Sequence, residues 1–486
     1  VMSRTQFAPF QLALRGLCIA ALAFPALAHA APAAPAHPSA RTVLARQDAL
    51  APVTDAQAAV LAQRVKDEMR HAWQGYKQYA WGHDALKPLS KGAHDWYAQS
   101  LLMTPVDALD TLVIMGLKDE ASEARELIAT RLNFDQDMYV QNFEITIRLL
   151  GGLLSAYQLT NDERLLAKAQ DLGQRLLPVF ESPTGMPYTH VNLHSGKVRG
   201  NVSNPAETGT LLLEFGMLSR LTGNPVYFDK AKRALVETYK RAAPNGLVGS
   251  AINVETGKWV STEAHIGGAI DSYYEYLYKC YRLFGDQECK AMWDHSIAGI
   301  NSVLVDTSHG GLWYGHSDMN TGKRLKTQYG ALDAFMPALL AVSGDLPRAK
   351  ALQENGLRMW RVAGIEPEDL DYAKMKVLNG GYALRPEIIE SAYYLYHYTG
   401  DTRYRAMGRE FFEDFVKHCR TNAGFAALKD VRTKQKADSM ESFVFAETFK
   451  YYYLLFAPKA ALDFDAVTFN TEAHPLRVPA APAASR

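Results

Sequence analysis

The chain has 486 residues, 48% hydrophobic and 11% aromatic, with 52 Lys and Arg balanced by 52 Asp and Glu. That is ample apolar material for a large core, and it lacks the basic surplus that a nucleic-acid or anionic-membrane partner would favour. Length alone suggests about three domains, a prior that closed repeat folds break.

Arg15, the apolar run Leu17 to Phe24 and the site Ala28-His29-Ala30 form the pattern of a secretory signal over residues 1–30. The run is too short to span a bilayer. Export follows, with the mature protein periplasmic or secreted and off the membrane; an uncleaved anchor is the alternative. Residues 31–53, rich in Ala and Pro, read as a disordered lead-in. Thr54-Asp55 then caps a helix with apolar positions Val60, Leu61, Val65, Met69, Trp73 and Tyr76. Export permits disulfides. Cys280 and Cys289 flank the turn Leu283-Phe284-Gly285-Asp286, and their spacing suits a bridge and buried thiols equally, with Cys419 as the third thiol. Nothing has zinc spacing.

Further along, the stretch from Phe143 through Arg148 and Gly151-Gly152 to Thr160-Asn161-Asp162 carries an acid and an arginine one turn apart. It then turns apolar or small on every side, as a helix buried all round does. Its closing turn recurs about every 60 residues, at Thr222-Gly223-Asn224, Phe284-Gly285-Asp286, Ser343-Gly344-Asp345 and Thr399-Gly400-Asp401. Weaker equivalents lie at Leu117-Lys118-Asp119 and Ala457-Pro458. Each turn ends an apolar helix and precedes an amphipathic one, which gives about seven helix pairs. An open superhelix is one solution; closure into a ring suits first helices covered on all sides. At the other end, Asn192 to Lys197, Asn253 to Lys258 and Asp318 to Lys323 each read as a strand–turn–strand unit.

Acids recur at the starts of the apolar helices, on the long-loop side: Asp107 and Asp110, Glu144, Glu207, Asp271, Asp333, Glu387 with Glu390, and Glu441 with Glu447. Helix dipoles alone explain any one of them. Several on one rim repel unless a cation, arginines or shared protons compensate, and Arg148 and Arg385 are candidate partners. Carboxylates in an exported helical ring lined by Tyr and Trp suit hydrolysis of a glycosidic bond, one acid protonating the leaving oxygen and another activating water.

The motifs Tyr79 to Asp84, Val106 to Leu112, Phe143 to Arg148 with Leu150 to Leu153, Asp271 to Tyr276, Leu384-Arg385-Pro386-Glu387 with Glu390-Ser391, Met440 to Phe443 with Glu447-Thr448, and Phe469 to Pro475 occur in order. Together they resemble class I α-1,2-mannosidases, glycoside hydrolase family 47. The resemblance implies an all-α (α/α)7 barrel with short β-hairpins in the loops at one end. One catalytic domain would span 54–475, with 476–486 as a flexible tail and the monomer as the favoured state. It implies Ca2+-dependent exo-hydrolysis of terminal α-1,2-linked mannose on oligomannose glycans or mannans, with inversion.

By motif position the resemblance implies Glu144 as the general acid, acting through a water, Glu387 as the base that activates water, and Asp271 as the third acidic member. Thr471 would hold Ca2+ through its carbonyl and hydroxyl, with waters on acids such as Glu390, Glu447 and Glu472 and two sugar hydroxyls completing the shell. Phe443 would lie under the mannose, and Arg148 and Arg385 would orient the acids. Two bland alternatives stand beside these roles: Phe443 as core, and Arg148 as a structural ion pair. Many eukaryotic members have Arg at the position of Ala269, and their disulfide is missing, with Ala334 near one expected cysteine; the former bears on the leaving-group side. A mannose-binding lectin on the same scaffold is the alternative function.

Overall fold

The computed structural model describes residues 50–478; the expected signal and most of the lead-in lie outside them. Seven outer and seven inner helical segments alternate along the described chain. The outer ones are Asp55–Ala80, Lys118–Arg131, Glu163–Leu176, Val226–Tyr239, Gln287–Gly299, Leu346–Ala363 and Arg403–Cys419. The inner ones are Met103–Ile114, Asn142–Ile145 running on to Gly151–Thr160, Pro205–Gly209 with Leu212–Thr222, Asp271–Phe284, Leu332–Phe335 with Met336–Val342, Glu387–Thr399, and Val444–Thr448 with Phe449–Phe456. The last inner segment packs on the first inner helix and on the outer helix Asp55–Ala80, so the ring closes. The fold is the (α/α)7 barrel.

Closure differs from the repeat pattern in one respect. Among the described residues no amphipathic helix follows Ala457-Pro458; the helix Asp55–Ala80 supplies the seventh outer position instead. That helix starts with a reciprocal capping box between Thr54 and Gln57 and buries Leu61, Val65, Met69, Trp73 and Tyr76. Val60 does not share this face and is exposed.

The tight turns show why a Thr, then Gly or Asn, then Asp or Asn recurs. Thr160, Thr222 and Thr399 each donate a hydroxyl to the carbonyl four residues back, at 2.6–2.7 Å. Asn161, Gly223 and Gly400 then take the left-handed conformation that ends the helix. The side chain of the next residue then accepts a backbone N–H in the first turn of the outer helix: Asp162 from Arg164, Asn224 from Val226 and Asp401 from Arg403.

The three expected hairpins are present, with His190–Asn192 against Val198–Arg199, Ala251–Asn253 against Trp259–Ser261 and His316–Asp318 against Arg324–Lys326. In each, the side chain of Asn192, Asn253 or Asp318 accepts two backbone N–H groups, and Gly196, Gly257 or Gly322 has positive φ. Each hairpin gains a third strand from a neighbouring loop.

A final hairpin, Val467–Phe469 against Pro475–Arg477, fills the ring axis from the tight-turn end. Its base meets Arg282, which donates to the Phe464 and Val467 carbonyls, and Gln158, which accepts from Arg477 N. Leu476 is buried there, so ordered packing continues past residue 475, into what the sequence presents as tail.

Cys280 and Cys289 form a disulfide, tying an inner helix to the following outer one across the Gly285 turn. Closing a loop of sequence separation 9 is worth about 3 kcal/mol by chain entropy. Reduction, or Cys289→Ser, is therefore expected to lower unfolding stability by about that amount in thermal and denaturant melts. An unchanged melt would show that the bridge is energetically idle.

Candidate active site

The helix stretch from Asn142 to Thr160 is interrupted by a π-helical turn, Thr146–Leu150, and a second π turn, Val444–Thr448, carries Glu447. Such turns free carbonyls from the helix ladder. The freed Ile147 carbonyl accepts a 2.9 Å hydrogen bond from Asn470 Nδ2 at the hairpin tip. Gly151 and Gly152 make room for the tip: a Cβ on Gly151 would lie 2.5 Å from Asn470 Nδ2, and one on Gly152 3.2 Å from the His474 ring.

His474 is clasped by two aspartates of the first inner helix. Its Nδ1 lies 2.7 Å from Asp110 and its Nε2 3.2 Å from Asp107. Asp110 also pairs with Lys450 at 2.8 Å and accepts from Ser155 Oγ at 2.9 Å. Burial alone would lower the imidazole's proton affinity, but Asp110 and Asp107 outweigh it and raise its pKa to about 9. Burial opposes ionisation of Asp110 too, yet Lys450 and His474 hold it at about 2. These two aspartates are therefore neutralised within the floor and do not face a ligand.

Around the tip the remaining acids gather. Asp271, Ser272, Glu275, Glu387, Glu390, Glu447 and Thr471 line one small cavity with Leu332 and Phe335. Burial raises Asp271 to about 6 and Glu387 to about 7, the latter despite Arg385. Burial likewise lifts Glu390 to about 8 in spite of Lys279, with Glu275 and Glu387 adding repulsion. Glu447 is pushed well above the carboxylate range by burial, then by Glu472 and Glu387.

Glu144 does not line this cavity; it joins the cluster through Arg148, whose Nε donates to it at 2.8 Å. The same guanidinium pairs with Glu472 and lies 3.6 Å from Asp107. Arg148 is thus an ion-pair hub within the site, which unites the structural and site readings. It lies 5.2 Å from the Trp96 ring and 5.7 Å from Phe443. Phe443 is 8% exposed, with Arg385 6.0 Å from its ring, so most of it is core and a small edge is free. Arg385 makes its forked hydrogen bonds to Glu368, at 2.9–3.2 Å, and reaches Glu387 only through the field.

Not every rim acid converges. Glu207 accepts from Gln141 and Ser203, and Glu441 from Trp96 Nε1 and Ser439. Ala269 has φ +77°, and its carbonyl accepts from Ala206 N. Sequence reasoning missed Glu368 and Glu366, which lie on an irregular loop outside the repeat. Glu366 is fully buried with neither carboxyl oxygen hydrogen-bonded among the described residues, and burial followed by the charges of Glu387 and Glu368 raises it strongly. Glu275 was visible one turn after Asp271, on the same face.

The donor set suits a hard cation. It is all oxygen; among the described residues Glu387 Oε2 lacks a hydrogen-bond partner, and no hydrogen bond engages the Thr471 hydroxyl or carbonyl, only its N–H. Mutually repelling carboxylates around two free neutral oxygens match the preferences of a hard, oxygen-seeking cation more than those of softer metals. Cys280, Asp286 and Cys289 also cluster, but their sulfurs are spent in the disulfide.

Asp333 tests the electrostatics. Burial raises it to about 8 despite the Gly330 N–H at 2.9 Å, with Asp369 and Asp271 adding to the rise. A folded-state value above the unfolded one gives stability that is complete near pH 4 and declines as pH rises toward 8. Asp333→Asn is expected to melt roughly 2–4 °C or more above wild type at pH 8, with the difference vanishing near pH 4. A pH-independent difference would contradict this.

The family model described as glycosyl hydrolase family 47 matches residues 68–478. A mannosyl-oligosaccharide 1,2-alpha-mannosidase of Arabidopsis thaliana is 37% identical over 441 residues, 86% of this chain and 78% of that protein. The mannosyl-oligosaccharide 1,2-alpha-mannosidase IB of Homo sapiens is 38% identical over 447 residues, 86% of this chain and 69% of that protein. Among solved structures, the alpha-1,2-mannosidase from Trichoderma reesei superposes with a TM-score of 0.81 at 27% identity, covering 87% of this chain and 99% of that one.

Proposed function

Since this chain belongs to glycosyl hydrolase family 47, it is a glycoside hydrolase, and we propose that it removes terminal α-1,2-linked mannose from oligomannose glycans or mannans with Ca2+ bound and with inversion. The observation that carries this reading is the meeting of Asp271, Glu387, Glu390, Glu447 and Thr471 around one cavity at the ring axis.

Each residue has a task in this scheme. Glu387, with a pKa near neutrality and one carboxylate oxygen free of hydrogen bonds, accepts a proton from water as that water attacks the anomeric carbon. Glu144 delivers a proton to the departing oxygen, through a water because it stands outside the cavity and is held by Arg148. Direct displacement by water inverts the anomeric centre. Asp271 adds negative charge beside the developing oxocarbenium ion. The apolar edge of Phe443 offers a flat face to the sugar. Thr471 would hold Ca2+ through its hydroxyl and carbonyl, and Glu390, Glu447 and Glu472 would hold the waters of its shell. When bound, the ion supplies coordination of two sugar hydroxyls and neutralises the acids.

We place the mature protein in the periplasm or outside the cell, as a monomer. The N-terminal signal pattern supports this, as does the Cys280–Cys289 bridge, which suits an oxidising compartment.

Incubation with α-1,2-mannobiose is expected to release mannose, and a calcium chelator to stop it. Release that survives chelation removes the metal from the account; no release from folded, calcium-loaded protein favours a lectin. Glu144→Gln and Glu387→Gln are each expected to keep the fold by circular dichroism and lower kcat by about 100-fold or more. Full activity in either refutes its role.

A further inference from the structure

Glu214 lies in the first turn of the helix Leu212–Thr222, seven residues beyond the rim acid Glu207 of the same inner segment. It is fully buried, and its carboxyl serves two partners that both belong to the hairpin seat. Oε1 accepts from Asn470 Nδ2 at 2.7 Å and from the Tyr276 hydroxyl at 2.5 Å. The Tyr276 oxygen in turn accepts the Thr471 N–H at 3.3 Å. Asn470 is fully employed as well: besides Glu214 and the Ile147 carbonyl, its Oδ1 accepts the N–H groups of Glu472 and His474, at 3.0 and 2.8 Å.

The consequence is directional. Asn470 Oδ1 fixes the backbone N–H groups of Glu472 and His474, the Tyr276 oxygen fixes that of Thr471, and among the described residues Glu214 is the side chain bonded to both Asn470 and Tyr276. We propose that Glu214 is a positioning residue for the metal site, acting through Tyr276 and Asn470 to hold the Thr471 carbonyl and hydroxyl at a fixed angle to the ring axis. The inference deepens the proposed function and rests on its reading of Thr471 as a calcium ligand.

A fully buried acid with no role in the hairpin's grip would be a poor choice here. Burying a carboxyl is costly, and its second oxygen, Oε2, has no partner among the described residues. A hydrophobic residue would pack the position without that cost. It would, however, leave the Asn470 amide and the Tyr276 hydroxyl each short of an acceptor, and the Thr471 tip would lose its lateral reference. Ligand-supporting contacts of this kind commonly change metal affinity by about 10–100-fold.

Calorimetric titration of the full chain with Ca2+, without substrate, provides the test, with the melting temperature of the calcium-free protein as the structural control. Tyr276→Phe keeps the buried ring and removes only the bridging hydroxyl; it is expected to bind Ca2+ about tenfold more weakly or worse while the calcium-free melt barely moves. Glu214→Leu is expected to lose on the order of 10–100-fold in affinity. Glu214→Gln keeps an acceptor oxygen and should stay within about threefold of wild type, well short of that range. If Glu214→Leu does not fold, Tyr276→Phe decides the matter alone. Wild-type affinity in Tyr276→Phe overturns the inference, even if the calcium-free melt has dropped. A wild-type protein that binds no calcium at all overturns the metal reading, and this inference falls with it.

Discussion

Asp107 and Asp110 grip the imidazole of His474 between them, deep in the ring, and Lys450 closes the same cluster from the last inner segment. Four side chains from three distant parts of the sequence neutralise one another there without solvent. Removing one member of such a buried set costs about 3–5 kcal/mol because the others are left uncompensated. The cavity depends on this contact. It fixes how far the C-terminal hairpin enters, and so where Thr471 and Glu472 stand among acids that the inner helices present on their own.

The ring and the hairpin solve complementary problems. Seven apolar helices side by side close a ring, but its axis must then be filled. The hairpin fills it from the tight-turn end and brings polar groups where an apolar plug would have sufficed. Gly151 and Gly152 admit that polar tip, since side chains there would overlap Asn470 and His474. The π turn at Thr146–Leu150 contributes twice: it supplies the Ile147 carbonyl for Asn470 and carries Arg148, which bridges Glu144 to Glu472. Backbone irregularity on this helix thus belongs to the same device as the chemistry.

Much of this was legible in the residues. Thr-Gly-Asp turns announce themselves because each position has its own hydrogen bond or backbone requirement, and Asn192, Asn253 and Asp318 mark hairpins for the same reason. Two further hairpins of similar shape, at Asp369–Asp371 with Lys376–Asn379 and at Leu428–Asp430 with Gln435–Lys436, escaped notice. Their left-handed positions are held by Met375 and Lys434, where a glycine would have given the signal. The partner of the last inner segment was not legible either, since closure joins helices at opposite ends of the chain. Among the acids, helical spacing identified the rim but did not separate Asp107 and Asp110, which are spent on His474, from Asp271 and Glu387, which face the cavity. That distinction depends on a hairpin more than 350 residues away in sequence. Thr471 had no signal of its own and was reached through family resemblance.

The proposed reaction turns on one step above the rest: water, deprotonated by Glu387, attacks the mannose directly with no covalent sugar–enzyme intermediate. Proton NMR of α-1,2-mannobiose hydrolysis, recorded before mutarotation equilibrates the product, reads this out. The account predicts β-mannose as the first anomer released. α-Mannose appearing first would contradict it.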